Sequence, residues 1–138
     1  MKQKDKNLLL QDISARLPYG VKVNADFIDF TRIGRLISID NNEELILSPN
    51  NGYPFDKKIE YCKPYLFPLS SMTEEQKNDL FNCCYNAEQE ASKFSNGKLK
   101  FVYDYEIVKI DWFNKNHFDY RGLIEKDLAL DATGLNIY

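Results

Sequence analysis

The only histidine of this chain, His117, lies two residues before Asp119. A carboxylate can orient an imidazole and stabilise its charge, so the pair could perform general acid/base catalysis. On a loop, this spacing permits the contact without imposing it. A hydrolase would also need a nucleophile or a metal, and the sequence contains no GxSxG, HExxH or CxxC pattern. We therefore interpret His117 as a structural or capping residue, and keep an enzyme using His117 and Asp119 as an alternative hypothesis.

Zinc binding is a second chemistry that the residue types allow and their spacing disfavours. A structural zinc site needs about four ligands from Cys and His, and this chain has only His117, Cys62, Cys83 and Cys84. Two of the cysteines are adjacent, and none has zinc-finger spacing. Carboxylates are plentiful, but no EF-hand pattern is present. We predict no metal and no cofactor. The cysteines are expected to be reduced, and Cys84 is expected to be a buried apolar residue without a redox role.

Basic and aromatic residues that could bind nucleic acid occur in the first half of the chain. Arg32 and Arg35 fall on a predicted strand, where cations and rings together could hold a single strand. Further candidates follow at Tyr53, Phe55, Lys57, Lys58, Tyr61, Lys63 and Tyr65. The alternative is that the rings pack between sheet and helix while the lysines protect an edge strand from aggregation. We favour this alternative, because a net charge of −3 and a pI of about 5.2 provide no global positive field.

A helix is the first element that the pattern predicts, over roughly Lys6 to Leu17. Asp5 or Asn7 could cap it, and Pro18 followed by Gly20 ends it. Its apolar stripe consists of Leu9, Leu10, Ile13 and Leu17.

From Gly20 onward the apolar period changes to that of strands. The segments VKV, FIDFTRIGRLISID and ELILS predict an antiparallel meander, with a tight turn at Asn41 and Asn42. On this interpretation Ile33, Ile37 and Ile39 share one face of the sheet.

The next segment combines turn residues with prolines. Ser48 to Pro54 is rich in Pro, Asn and Gly and predicts a loop, and a fourth strand follows at Lys58 to Cys62. Pro64 and Pro68 then predict an extended edge segment and exclude a central strand.

A long helix begins after Thr73, which forms a capping box with Gln76. Leu80, Cys84, Ala87 and Ala91 continue its apolar stripe. Asn96 and Gly97 are expected to end the helix. The segment KLKFVYDYEIV at 98–108 could form a strand, and IDWFNKNH could form a short helix that begins at Asp111 or continues from Glu106.

These elements predict an α+β fold: an N-terminal helix, a small antiparallel meander or partly open barrel, a long central helix, and short C-terminal helices with a return strand. A length of 138 residues and 43% hydrophobic content suit one domain over residues 1–138. Its sheet-rich half covers about 18–69 and its helical half about 72–134. No apolar run approaches the roughly 18 residues that would span a bilayer, and no secretory signal is evident.

Three blocks resemble a family of short uncharacterised proteins from gut bacteria, their prophages and phages. They are ARLPYGVKV at 15–23, KPYLFPLSSMTEEQK at 63–77 and DWFNKNHFDYRGLIEKDLALDA at 111–132. The family usually has Gly where this chain has Asp127, which implies a left-handed residue after a short helix. The resemblance supplies no activity and implies a phage or prophage setting.

For the last block we predict that Asp119 caps one or two helical turns from Tyr120 to Lys126, and that Leu128 to Leu130 returns as a strand or extended segment. Arg121 would then remain free for a carboxylate or a ligand phosphate.

A non-enzymatic binding module is the function that fits these observations best. It would be a phage or prophage accessory protein that interferes with a host factor, by binding a protein or by sequestering a nucleotide signal. We expect it in the cytoplasm of the bacterial host, without a membrane partner, and an unpaired sheet edge could support a homodimer. A small nucleic-acid-binding domain is the alternative. The candidate ligand-binding residues are Arg121, His117, Tyr120, Arg32 and Arg35.

Overall fold

The computed structural model describes the backbone of residues 1–93 and 105–138 and the side chains of residues 1–89 and 106–138. Within these ranges, helices combine with a seven-stranded sheet, which confirms the predicted α+β class. The helices are α1 (Gln3–Arg16), α2 (Glu74–Lys93) and α3 (Tyr105–Lys115), and the strands are β1 (Lys22–Asp26), β2 (Thr31–Ile39), β3 (Glu44–Ser48), β4 (Phe55–Lys58), β5 (Cys62–Pro68), β6 (Phe118–Asp119) and β7 (Leu130–Asp131).

Helix α1 begins earlier than its capping residues predict. It starts at Gln3, so Asp5 and Asn7 lie inside the helix, where Asp5 in the first turn is favoured by the helix dipole. Its buried face follows the predicted stripe, with Leu9 and Ile13 fully buried. A 3-10 turn and the left-handed Gly20 then turn the chain into β1.

The sheet follows the order β4-β3-β2-β1-β5-β6, and β7 also pairs with β5. Strands β1 to β4 form the predicted antiparallel meander. One face packs on α1; we call it the inner face. The buried inner-face residues include Val21, Val23, Ala25, Leu36, Leu45 and Leu47. Among the described strands the path ends at β4 and at β6, and no ladder joins these two ends.

A β-bulge in β2 overturns the prediction that Ile33, Ile37 and Ile39 share a face. Leu36 pairs with Leu47, whereas Ser38 pairs with Ile46, so β2 carries one extra residue at this point. Ile33 and Ile37 are therefore exposed on the outer face, and Ile39 packs against the core.

The segment that contains β4 and β5 corrects two predictions. The fourth strand is Phe55–Lys58, and residues 59–61 of the predicted strand form a 3-10 turn. The segment with Pro64 and Pro68 is an interior strand, paired with β1 on its first half and with β7 and β6 on its second half. It tolerates Pro64 because that residue is the last in register with β1, and the ladder to β7 begins at the next residue.

Helices α2 and α3 bury a second, aromatic cluster. The capping box is confirmed, because Thr73 N–H donates to Gln76 Oε1 (2.9 Å) and Gln76 N–H donates to Thr73 Oγ1 (3.2 Å). The predicted helix α3 is also present. The cluster consists of Trp112, Phe113 and Phe118, with Phe67, Met72, Leu80, Cys83 and Tyr120 packed against it. Cys84 is buried, as predicted. The predicted helix end at residues 96–97, the stripe position 91 and residues 98–104 of the predicted strand lie outside the residues whose side chains are described. Residues 105–108 of that predicted strand are helical, because they form the first turn of α3.

After β6 the chain forms turns in place of the predicted helix at Tyr120 to Lys126. Asp119 nevertheless caps this segment, since its two carboxylate oxygens accept the N–H groups of Leu123 and Ile124, both at 2.9 Å. The return strand exists as β7, two residues long, in parallel pairing with β5. Asp127 has a φ of 57°, the left-handed conformation that the family resemblance implies.

Replacing Asp127 with Gly is expected to stabilise the fold by about 0.5–1 kcal/mol relative to Asp127→Asn. Glycine adopts the left-handed conformation without a Cβ penalty. Both variants lose the ion pair between Lys63 Nζ and Asp127 Oδ1, 2.7 Å apart, so the backbone conformation is the main difference between them. Urea unfolding of the two variants measures it. Equal midpoints would contradict the expected gain from glycine.

Candidate functional site

The turn between α3 and β6 brings the predicted residues of the C-terminal block against α1. His117 ends this turn with a φ of 62°, and its carbonyl accepts the N–H of Phe67 at 2.8 Å. This hydrogen bond holds the turn to β5. As a result His117, Tyr120 and Arg121 surround two charged residues of α1 that the sequence interpretation did not single out.

Those two residues, Asp12 and Arg16, form a fully buried ion pair. Arg16 Nε donates to Asp12 Oδ2 at 2.8 Å and Arg16 Nη2 donates to Asp12 Oδ1 at 3.1 Å. Arg16 Nη2 also donates to the carbonyl oxygen of Phe118 at 2.7 Å, which ties α1 to β6. The signal was present in the sequence, because positions 12 and 16 fall on the same helical stripe as Leu9 and Ile13.

Arg121 is paired, which corrects the expectation that it stays free for a ligand. Its Nε lies 3.3 Å from Asp12 Oδ1, and its Nη2 donates to the hydroxyl of Tyr120 at 3.1 Å. The Tyr120 hydroxyl in turn donates to Asn114 Oδ1 at 2.9 Å. We call Asp12, Arg16, Asn114, Tyr120 and Arg121 the buried network. Its geometry explains how the C-terminal block is fastened to α1.

His117 lies beside this network in a partly buried position. Its ring stacks on Tyr138, with centroids 3.8 Å apart and planes inclined by 9°. Burial, followed by the positive charge of Arg16, lowers the pKa of His117 from 6.5 to about 4. The imidazole is therefore neutral at neutral pH, as its packing requires.

A neutral, partly buried His117 predicts that the protein loses stability on acidification. Between about pH 6.5 and pH 4 the unfolded chain binds a proton at His117 and the folded chain does not, so stability falls as the pH falls. We expect this group to contribute about 2 kcal/mol to the loss, less than the full shift implies, because the ring is partly exposed.

His117→Asn provides the comparison, since asparagine does not titrate and tolerates a left-handed backbone. The free energy of unfolding of both proteins would be measured by urea at pH 7 and pH 4.5. The wild-type protein should lose more stability between the two pH values than the variant. Parallel losses would place the acid sensitivity in other groups.

The geometry gives the acid/base hypothesis no support. Both carboxylate oxygens of Asp119 accept backbone N–H groups, and His117 stacks on Tyr138. An open cleft of about 350 Å³ lies next to Asp119 and Tyr120. Among the described residues its lining includes no arginine, so it does not resemble the arginine-lined pocket that would hold a nucleotide.

Arg32 and Arg35, the other predicted site residues, point to opposite faces of β2 because they are three positions apart on a strand. Arg35 is exposed on the outer face with Ile33. Arg32 lies on the inner side at the sheet margin, where its guanidinium carbon is 4.5 Å from the centroid of the Phe55 ring. A single patch containing Arg32, Arg35, Lys57 and Lys58 is therefore not formed.

Arg32 instead belongs to a surface at the tip of the β1–β2 hairpin. We call it the hairpin surface; it consists of Phe27, Ile28, Phe30, Arg32, Phe55, Lys57 and Tyr61, and the exposed Tyr53 precedes Phe55 by two residues in the chain. Phe27 N–H donates to the Phe30 carbonyl at 2.8 Å, which closes a two-residue turn at Ile28 and Asp29. The rings of Phe27 and Phe30 stack with centroids 4.7 Å apart.

Lys57 completes this stack. Its Nζ lies 4.0 Å from the centroid of Phe27 and 5.1 Å from that of Tyr61. Since the stacked Phe30 ring covers one face of Phe27, the ammonium group occupies the other. Phe55 also contacts Phe27, with centroids 6.0 Å apart. The result is a pre-arranged column whose Phe30 end is open.

Apolar exposure is the second property of the hairpin surface. Ile28 is fully exposed, and Phe30 and Tyr61 expose 58% and 50% of their surface. An isoleucine at the centre of a two-residue turn, where Asn or Gly is usual, was the available sequence signal for this site. The surface also carries acidic residues, Asp26 and Asp29, and so is not uniformly basic.

Comparison of the chain with protein-family models, curated proteins and solved structures gave no match. The family resemblance of the three blocks therefore stays a prediction. Along the part of the chain that the structure describes, no helix combines the length and apolar character needed to cross a membrane. Nor do the described residues bring three or more His, Cys, Asp or Glu together in a group that could hold a metal ion.

Proposed function

We propose that this chain is a non-enzymatic binding module that contacts a protein target through the hairpin surface. The observation that carries the proposal is the group of exposed apolar side chains, Ile28, Phe30 and Tyr61, around the stacked rings of Phe27 and Phe30 and the Lys57 ammonium. Aromatic side chains of this kind are the residues that most often dominate binding energy in protein interfaces. A contiguous exposed apolar patch is also the usual mark of an interaction site.

The packing beneath the exposed residues supports the same proposal. Phe55 and Lys57 pack against the Phe27 ring, and the Phe30 ring stacks on Phe27 before any partner arrives. A surface that is ordered in advance loses little side-chain entropy on binding, so more of the contact energy appears as affinity.

The setting of the target is part of the proposal. The resemblance of the three sequence blocks supports a phage or prophage accessory protein that acts in the cytoplasm of a bacterial host. A small protein of this type can interfere with a host factor by binding it stoichiometrically, for which an exposed surface suffices.

A second candidate function is binding of single-stranded nucleic acid on the same surface. Two cations that lie over aromatic rings favour this function: Arg32 lies over Phe55, and Lys57 lies over Phe27. In proteins that bind single strands, bases stack on exposed rings and phosphates pair with nearby cations. The acidic residues at the tip and the net charge of −3 oppose it. Binding of this kind would weaken steeply as salt is raised.

The test is affinity purification of the tagged protein from its host, with the double variant Ile28→Asp, Phe30→Ala. We expect a host protein to co-purify in a fixed ratio with the wild-type chain, and its recovery to fall at least about tenfold with the double variant. Phe81→Ala is the matched control, since Phe81 is an exposed phenylalanine of α2, 67% accessible and outside the hairpin surface. It should retain the partner.

Two outcomes would contradict the proposal. One is equal recovery of the partner by the double variant. The other is recovery of nucleic acid whose binding is lost as salt rises, which would select the second candidate. Thermal unfolding of each variant establishes that a loss of binding does not come from a loss of folding.

A further inference from the structure

The ladder between β1 and β5 stops one residue short of the start of β1. Its antiparallel register sets Val23 opposite Pro64, so the next pair would be Lys22 and Tyr65, but Tyr65 pairs with β7 instead. The Val21 carbonyl accepts an N–H from β2, so the alternation of the backbone directs the Lys22 N–H towards β5. A gap between the two strands therefore lies beside this N–H.

The hydroxyl of Tyr138 lies in this gap. It accepts the N–H of Lys22 at 2.9 Å and donates to the carbonyl oxygen of Tyr65 at 2.8 Å. Burial of the hydroxyl between the two backbones raises the pKa of Tyr138, so the group stays protonated and keeps both roles. A single phenolic oxygen thus satisfies one backbone donor and one backbone acceptor where no direct strand pair forms.

The ring of Tyr138 has an equally defined contact. It stacks on the imidazole of His117 with centroids 3.8 Å apart and planes inclined by 9°, the closest ring pair among the described residues. It also lies 5.9 Å from the Phe67 ring, measured between centroids. The hydrogen bond from Phe67 N–H to the His117 carbonyl holds the two neighbouring residues together. A stacking face, a donor and an acceptor converge here, which is the usual composition of a small-ligand site.

The segment that leads to Tyr138 makes few contacts of its own. Residues 133–136 are all exposed, and the hydrogen bonds described for them stay within residues 131–135. Gly134 and Asn136 have left-handed backbones, with φ values of 75° and 52°, so the segment does not extend β7. Tyr138 itself exposes 40% of its surface, so its ring can be reached from solvent. The side chain is therefore held at its tip while its connection to the fold is an exposed turn.

We propose that the gap between β1 and β5 beside His117 is a binding site for a phenol, the side chain of tyrosine, and that Tyr138 fills it as a ligand tethered to the same chain. The tether raises the local concentration of Tyr138, so an untethered phenol competes poorly unless this side chain is removed. The site lies at the end of β1 opposite to the hairpin surface. The inference does not depend on the target proposed above.

The variant Tyr138→Ala with added p-cresol tests the site, because p-cresol has the ring and the hydroxyl of the tyrosine side chain. We expect saturable binding at about 1–10 mM, followed by NMR of the 15N-labelled variant. The Lys22 N–H should exchange with solvent in the free variant, and bound p-cresol should slow this exchange at least about tenfold. The Leu36 N–H, which donates to the Val21 carbonyl at 2.9 Å, is the internal reference and should not respond.

Three controls identify the contacts that hold the ligand. Toluene has the same ring without the hydroxyl and should not slow the exchange of Lys22. Adding His117→Asn to Tyr138→Ala removes the stacking ring, keeps a residue that tolerates the φ of 62°, and should weaken p-cresol binding about three- to tenfold. The wild-type protein should bind p-cresol at least about tenfold more weakly than Tyr138→Ala, because its own tyrosine fills the site.

The test holds even where Tyr138→Ala does not fold. If circular dichroism shows an unfolded variant, p-cresol should restore its folded fraction and toluene should not. Tyr138→Phe, which removes only the hydroxyl, should speed the exchange of Lys22 and leave that of Leu36 unchanged. The proposal is overturned if p-cresol neither binds the folded variant nor refolds the unfolded one. It is also overturned if toluene acts like p-cresol, if His117→Asn has no effect, if the wild-type protein binds p-cresol equally well, or if Tyr138→Phe leaves the exchange of Lys22 unchanged.

Discussion

Replacing Asp12 with alanine is expected to lower the free energy of unfolding by about 3–5 kcal/mol. The substitution leaves the Arg16 guanidinium fully buried without its carboxylate, and it also removes the anion that faces Arg121 at 3.3 Å. A buried charge without a partner costs far more than the original pair contributed. Chemical denaturation of the wild-type protein and the variant measures the loss.

Two comparisons separate this effect from the loss of any ion pair. Glu74→Ala breaks the exposed pair with Lys77, whose atoms are 3.0 Å apart, and should cost at most about 1 kcal/mol. The double variant Asp12→Leu, Arg16→Met removes both buried charges and should be much more stable than Asp12→Ala. If Asp12→Ala costs no more than Glu74→Ala, the buried network does not fasten α1 to the C-terminal block.

Replacing Phe118 with alanine is the other change of large expected effect, at about 3–5 kcal/mol. Phe118 is 1% exposed, and its ring lies 5.6 Å from Trp112, 6.0 Å from Phe67 and 6.4 Å from Phe113, measured between centroids. The truncated side chain would leave a cavity between β5 and α3. Thermal and urea unfolding would report the change.

Phe81→Ala is the matched control for this truncation, because it removes the same atoms from an exposed position and should change stability by less than about 1 kcal/mol. Phe118→Leu, which keeps most of the buried volume, should fall between the two. A small effect of Phe118→Ala would mean that α3 and β6 move together to fill the space.

Features set by neighbouring residues were predictable from the sequence. The capping box of Thr73 and Gln76 and the capping by Asp119 each depend on contacts within a few residues. Their residue types therefore carried the signal. The inner stripe of α1 was also evident, because helical spacing alone places Leu9 and Ile13 together.

Features set by distant parts of the chain were not predictable in this way. A proline lacks an N–H and so indicates an edge strand, but β5 changes partners at Pro64, and the sequence does not show this change. Arg121 was expected to be free because its partner, Asp12, lies near the other end of the chain. The β-bulge at Ile37 places Ile39 on the inner face, although strict alternation would place it on the outer face with Ile33. An alternating pattern of residue types does not reveal an extra residue in a strand.

The same reasoning applies to the candidate site. Arg32 lies over the Phe55 ring, but its predicted grouping with Arg35 fails because the two side chains lie on opposite faces of one strand. The sequence alone indicates no binding role for Phe27 and Phe30. Their importance comes from the two-residue turn between them, which folds one ring onto the other.

The hydrogen bond from Arg16 to the Phe118 carbonyl spans 102 residues of chain. During synthesis the β1–β4 meander can pair as soon as it leaves the ribosome, because its strands are consecutive. Arg16 must wait until β6 has been made before it can be buried with all its partners, and loop closure over such a length is slow. Helix α1 can therefore pack its apolar stripe on the meander early, whereas its Arg16 stays without the Phe118 carbonyl until β6 has been made.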